Sequence, residues 1–200
     1  MNFTAFLSYV LLTTFTPGPN NIMCMSNASK DGFKKTFPFV LGAVSGYFVI
    51  LCLGAAFTTL LYNIIPAVEP YMLVVGAAYI LWLAWTVWRS KPHEEKKGLA
   101  AVNSYGSGFL LQFVNIKGIL FAVTVMSSFI LPFYQSIPVV SVFALALTAI
   151  GLASTTSWAL FGAMFERFFK KYSKITNGVM ALLLVYCAVT MILDIFKPAA

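Results

Sequence analysis

Two hundred residues, 60% hydrophobic and 10% charged with a net charge of +7, cannot cover a soluble globule, which averages about 45–50% apolar and about 25% charged residues. The surplus of apolar side chains calls for a bilayer as a second solvent. A transmembrane barrel is excluded, because its strands alternate over about ten residues and the runs here are continuously apolar.

The sparse charges punctuate the chain into uncharged windows, and a spanning helix needs roughly 20 mostly apolar residues. The first element, Phe3–Met25, lacks a basic start and a small-residue cleavage site and carries Pro17 and Pro19 late in its run. It reads as a retained helix and not as a signal peptide. After Lys30, Lys34 and Lys35 comes a second helix, Phe37–Tyr62, whose Gly42-x-x-x-Gly46 spacing permits close helix approach. A loop without Lys or Arg, Asn63–Pro70, leads to a third helix, Tyr71–Trp88. Its Trp82, Trp85 and Trp88 run down one side toward Arg89 and fit packing and an interfacial belt. The polar stretch Arg89–Tyr105 holds Lys91, Lys96, Lys97 and the only histidine, His93, read as a solvated loop residue. The uncharged window Gly118–Phe165 is too long for one helix. Two prolines and polar residues in Leu131–Pro138 split it, giving a fourth helix at Phe109–Leu131 and a fifth at Val139–Phe161. Arg167, Lys170, Lys171 and Lys174 precede the sixth, Ile175–Phe196.

Eleven of the 13 basic residues thus lie in alternate loops, the positive-inside pattern. That places the loops near Lys34, Arg89 and Lys170 in the cytoplasm and both termini outside, and it explains the positive charge without nucleic acid. The expected fold is an all-α integral membrane protein of about six transmembrane helices forming one transporter domain over residues 1–200. Two three-helix halves, approximately 1–89 and 105–200, are joined by the polar cytoplasmic loop. Three is odd, so a repeated unit inserts its second copy inverted, as in many secondary transporters whose sites form where the repeats meet at broken helices.

Two interruptions carry the chemistry. In helix one, Thr16-Pro17-Gly18-Pro19-Asn20-Asn21 removes two backbone donors and loosens the chain between them. Irregular backbone inside lipid is tolerated only where protein or a wet cavity surrounds it, so a helix broken here offers free carbonyls and amides to a zwitterionic ligand. In helix four, Gln112-Phe113-Val114-Asn115-Ile116-Lys117 holds the one charge well inside an apolar span. A lysine near the bilayer centre costs roughly 2.5–3.5 kcal/mol, and apolar residues return only about 0.3–0.6 each. Lys117 is therefore expected to face the bundle interior, with Gln112 and Asn115 as polar neighbours; the alternative is a lysine snorkelling to the headgroups. Ser154-Thr155-Thr156-Ser157 in helix five could line a pathway or bond between helices.

At these residues the chain resembles the lysine-exporter superfamily of amino-acid exporters, in its homoserine/threonine-resistance branch. The motif Thr16-Pro17-Gly18-Pro19 matches that family's T-P-G-P, and Gly76-Ala77-Ala78-Tyr79-Ile80-Leu81-Trp82-Leu83 matches its third helix. Many members carry N-P-K in helix four, whereas Asn115-Ile116-Lys117 replaces the proline. With Leu111-Gln112-Phe113-Val114 before it and Ala181–Val189 in helix six, that departure is similar to the branch's exporters of cysteine and O-acetylserine. The resemblance implies a bacterial inner-membrane, multi-pass secondary exporter of small neutral amino acids, foremost cysteine and O-acetylserine, with threonine or homoserine as the alternative cargo.

The expected substrate-binding residues are Thr16, Pro17, Gly18, Pro19, Asn20, Asn21, Gln112, Asn115 and Lys117, with Lys117 set against the substrate carboxylate. The partners are the amino-acid substrate and the lipid bilayer, with a homo-oligomer left open and no nucleic acid. No cofactor is called for: the Gly-x-x-x-x-Gly-Lys-Ser/Thr loop that would hold ATP does not occur, which leaves ion or substrate gradients as the energy source. A metal exporter would want clustered Cys or His, but Cys24, Cys52 and Cys187 are scattered through apolar helices and read as small buried hydrophobes. An intramembrane enzyme would want paired acids or an activated nucleophile. All the acids, Asp31, Glu69, Glu94, Glu95, Glu166 and Asp194, fall in loops or at helix ends.

Overall fold

The computed structural model describes residues 1–89, 103–165, 168 and 171–194. His93, Glu94, Glu95, Lys91, Lys96, Lys97, Glu166, Arg167 and Lys170, assigned to loops above, and Phe196, the expected end of helix six, lie outside them. Among the described residues the secondary structure is helical throughout: α1 (Phe3–Phe15), α2 (Pro19–Asp31), α3 (Phe33–Ala56), α4 (Thr58–Arg89), α5 (Tyr105–Val114), α6 (Ile116–Thr124), α7 (Ile137–Met164) and α8 (Ser173–Asp194). A π-helical turn, Val125–Ile130, continues α6.

Local chemistry accounts for several of these ends. The Asn2 side chain accepts the Ala5 N–H at 3.1 Å and starts α1. Ser104 and Ser107 cap α5 reciprocally, which satisfies first-turn donors that have no partner in the helix. Gly32, at φ 81°, turns the chain between α2 and α3 in a conformation that favours glycine. The link between α3 and α4 corrects the sequence reading. The segment Asn63–Pro70, expected to be a loop, is helical, and only Phe57 separates the two helices. Pro66 and Pro70 are four residues apart, so their missing donors fall along one side of the helix and the other side keeps its bonds.

Helices α3 and α7 are each long and apolar enough to cross a membrane, and α5 with α6 also qualifies if counted together across a 65° bend. Leu73–Arg89 within α4, Lys174–Thr190 within α8, and α1 are shorter apolar helices. With α1/α2 and α5/α6 each taken as one interrupted helix, six helical segments follow one another, as the charge windows predict. Their outer faces are apolar: Val142, Leu145, Leu182 and Tyr186 are all exposed, which suits hydrocarbon and would be a liability in water. Trp82, Trp85 and Trp88 lie on that exposed face, with Arg89 stacked 4.6 Å over the Trp85 ring. Cys24 is buried and Cys187 partly so, but Cys52 is exposed, contrary to its reading as a buried hydrophobe; on a lipid-facing surface a thiol need not be buried to be dry.

The packing has an exchange symmetry. Helix α3 packs on α5, and α7 packs on α2; α4 packs on α8, and α3 on α7. Both of the first two contacts bring backbones together at glycine. A Cβ on Gly108 would lie 2.2 Å from the Phe39 carbonyl oxygen, and one on Gly162 would lie 2.2 Å from that of Met25. No side chain larger than hydrogen fits either place. Two apolar clusters result. One contains Ile22, Met23, Phe39, Ile80, Leu83 and Leu184; the other contains Val10, Leu51, Phe121, Met126, Ile130 and Leu147.

Candidate functional site

Helix one breaks where the prolines stand: α1 stops at Phe15, and α2 restarts at Pro19. A helix end leaves its last carbonyls without partners, yet each of these has one. Thr16 N–H donates to the Leu12 carbonyl at 3.1 Å, and Thr16 Oγ1 to that of Thr13 at 3.0 Å. The Thr14 carbonyl accepts from Asn21 Nδ2 at 3.0 Å and from Ser154 Oγ at 2.9 Å. The Phe15 carbonyl accepts from Trp158 Nε1 at 3.3 Å. The Thr16 carbonyl accepts from Asn21 Nδ2 at 3.1 Å and from Lys117 Nζ at 3.2 Å. Side chains from α2, α6 and α7 thus converge on the end of α1, which is how a broken backbone survives where water is scarce.

Helix four is broken too, without the proline. Asn115, at φ −86° and ψ 86°, leaves the helical region between α5 and α6, and the two helices meet at 65°. Asn115 N–H donates to the Gln112 carbonyl at 3.3 Å, while the Asn115 carbonyl accepts from Gly118 N–H at 2.9 Å and Ile119 N–H at 3.1 Å. The reversal is therefore stitched on both sides of one residue.

The two restarted helices point their N-termini at one space. Gly18, Asn20 and Asn21 from α2, and Asn115, Lys117 and Gly118 from α6, line a single cavity of about 70 Å³. That is roughly five to seven water-sized volumes at about 10–15 Å³ each, the scale of a small amino acid. Neither α2 nor α6 carries a side-chain cap at its N-terminus, so the positive dipole ends and the first-turn N–H groups other than that of Gly118, which bonds the Asn115 carbonyl, stay available to an anion, Pro19 having none to offer. Lys117 adds a full charge. Its Nζ donates to Thr16 Oγ1 at 2.8 Å and to the Thr16 carbonyl, which leaves one of three donors. Asn20 Nδ2 donates to Gln112 Oε1 at 2.7 Å, a direct bond between the two broken helices.

Thr13 and Thr14 of α1, Tyr47 of α3, Phe121 of α6, and Gly151, Ser154 and Thr155 of α7 complete the polar and aromatic walls, and Ala43 and Val44 the apolar one. Tyr47 and Gly151 stand near the midpoints of α3 and α7, so the cavity sits at half-height of the bundle. A Cβ on Gly151 would come within 3.0 Å of the Tyr47 ring, so glycine there makes room for the tyrosine. On one side the cavity ends in stacked rings. Tyr47 meets Phe121 at 6.0 Å, Phe121 stacks on Tyr9 at 5.5 Å, and Tyr9 stacks on Phe129 of the π-helical turn at 5.4 Å. Phe6 and Phe143 continue the column to Tyr134, in the loop before α7.

Of the residues expected from sequence, Gly18, Asn20, Asn21, Gln112, Asn115 and Lys117 come together on the cavity wall. Pro17 and Pro19 make the break without lining the cavity, and Thr16 meets it only through Lys117. Lys117 faces the interior, bonded across the bundle, and does not snorkel. Tyr47, Phe121, Gly118 and Gly151 were not expected; each is an ordinary residue of an apolar helix that carries no signal by itself. In Ser154-Thr155-Thr156-Ser157, the first two line the cavity, whereas Ser157 bonds back to the Ala153 carbonyl of its own helix.

Known proteins match this chain along nearly its whole length. The Cysteine/O-acetylserine efflux protein of Escherichia coli (strain K12) is 42% identical over 93% of this chain and 95% of its own. The protein of the same name from Shigella sonnei (strain Ss046) is 42% identical over the same shares. No solved structure matches. The family model described as LysE type translocator matches residues 11–195, so the sequence resemblance to the lysine exporters holds and the chain belongs to the LysE type translocators.

Proposed function

We propose that this translocator is a secondary exporter of cysteine and O-acetylserine, the compounds for which its similar relatives are named, across the bacterial inner membrane. One observation carries the reading: two uncapped half-helix N-termini and a lysine converge on a cavity of amino-acid size at the middle of the bundle. The substrate carboxylate takes the helix N-termini and the third donor of Lys117, and the small side chain lies toward Ala43, Val44 and Phe121. The carboxylate and the two Thr16 oxygens then share one ammonium, so substrate arrival weakens each Lys117–Thr16 bond and loosens the tie between α6 and the end of α1. Because α1 also carries Phe6 and Tyr9 of the aromatic column, that loosening is transmitted to the column.

In this reading the halves 1–89 and 105–200 form one domain and are inverted copies, an arrangement supported by the exchange symmetry of the helix contacts. The basic loops place both termini outside and the loops near Lys34, Arg89 and Lys170 in the cytoplasm. Transport draws on ion or substrate gradients. The test is to overexpress the chain in a host lacking its own exporters and identify which amino acids accumulate in the medium. Cysteine and O-acetylserine should rise together. A rise confined to threonine or homoserine, or no rise at all from a well-inserted protein, contradicts the assignment.

A further inference from the structure

Two residues that line the cavity, Asn20 and Asn115, each have a buried amide oxygen, Oδ1, that accepts no hydrogen bond. Asn115 is 5% exposed. Leaving a buried acceptor unpaired is costly, so two beside one small space call for an occupant. The orientation of the Asn20 amide is set by its neighbours. Gln112 Nε2 points at the Gly108 carbonyl, which directs Gln112 Oε1 at Asn20 and fixes Nδ2 of Asn20 as the donor. Turning the Asn20 amide round would set two oxygens against each other. Among the described residues that line the cavity none is Asp or Glu, so none of them offers a carboxylate to a cation. The donors lie elsewhere, at the helix N-termini and on Lys117.

We propose that Asn20 Oδ1 and Asn115 Oδ1 receive the α-ammonium group of the substrate, so the site requires a free, protonated amine and rejects N-acylated compounds. This rests on the reading of the cavity as the amino-acid site. The chemistry suits a cavity that already holds a lysine. A carboxylate placed there would pair with Lys117 and neutralise it, whereas neutral oxygens bind an ammonium and leave the lysine for the substrate's own carboxylate. Neutral acceptors also hold a cation less tightly than an acid does, which favours release.

O-acetyl-L-serine and N-acetyl-L-serine make the test, because they are isomers of one formula and differ in whether the amine is free. Binding of each to purified protein in lipid nanodiscs is measured by calorimetry below neutral pH, where the protonated amine cannot undergo the acyl shift between them. The O-acetyl isomer should bind at least about tenfold more tightly, the loss expected when a charged hydrogen-bond donor is removed. Asn115→Leu, close in shape but without the oxygen, should weaken the O-acetyl isomer by a similar factor while N-acetylserine stays as poor as before. Equal binding of the two isomers to the wild-type protein overturns the ammonium assignment and leaves the cavity reading intact. Discrimination that survives in both Asn115→Leu and Asn20→Leu overturns the assignment to these two oxygens. If neither isomer binds, the reading of the cavity as the amino-acid site falls with it.

Discussion

The two breaks reach the same geometry by different means. Between α1 and α2 the interruption is covalent: Pro17 and Pro19 remove donors, and the exposed carbonyls of Thr14, Phe15 and Thr16 are then collected by Asn21, Ser154, Trp158 and Lys117. Between α5 and α6 no proline stands, and the reversal depends on Asn115, whose main chain bonds forward and back. The first break is imposed and then stabilised by other helices; the second is built from within. Lys117 ties the two together, since it belongs to the second and caps the first. A half-helix N-terminus in the membrane can therefore be made by backbone chemistry or by local bonding, and this protein uses one of each to frame one cavity.

Removing the tie should have the largest effect. Lys117→Met relieves an insertion cost of roughly 2.5–3.5 kcal/mol, so the protein should reach the membrane at wild-type levels. Export in inverted vesicles should nevertheless fall by about thirtyfold or more, since hydrogen bonds to a charged group are worth about 1.5–3 kcal/mol. Wild-type transport by this variant would reduce Lys117 to a bystander. The covalent break comes next. Pro17→Ala with Pro19→Ala permits a continuous helix, and export should drop by about tenfold or more, because near 1.4 kcal/mol of lost binding already accounts for that factor. Undiminished export would make the motif a simple kink. The smallest effect is expected where the two breaks are made more alike. Ile116→Pro puts the family's proline at the first position of α6, where the missing N–H has no helical partner in any case. Asn115 before it is already outside the α region, so transport should stay within about twofold, and the loss of the buried Ile116 side chain should lower stability by about 1–3 kcal/mol. A collapse of transport would mean that the second break depends on the Ile116 side chain, which is buried.

The same contrast explains what the sequence revealed. Proline acts on its own backbone, so Pro17-Gly18-Pro19 announced the first break from sequence alone, and Lys117 announced itself by the cost of burying a charge. The second break was not legible, because Asn115 has no fixed dihedral and the main-chain bonds that stitch the break exist only once the chain has folded. Asn63–Pro70 misled in the opposite direction: the lone charge of Glu69 divides two apolar windows without ending the helix. Tyr47 and Gly151 carry no signal individually, and only their contact across α3 and α7 makes them a wall of the cavity.

The central claim is that substrate occupies the space between the two breaks, and a protection experiment addresses it directly. Cys24, Cys52 and Cys187 are replaced by alanine, and Thr13→Cys, which lines the cavity, supplies a single thiol. Its alkylation rate by a small maleimide is measured in membranes with and without O-acetylserine, chosen because cysteine would consume the reagent. The account predicts that ligand at ten times its Kd slows the reaction about tenfold, by simple mass action, while Gln135→Cys, exposed in the loop before α7, reacts unchanged. A Thr13→Cys rate that ignores saturating O-acetylserine, in protein that still exports it, would contradict the claim.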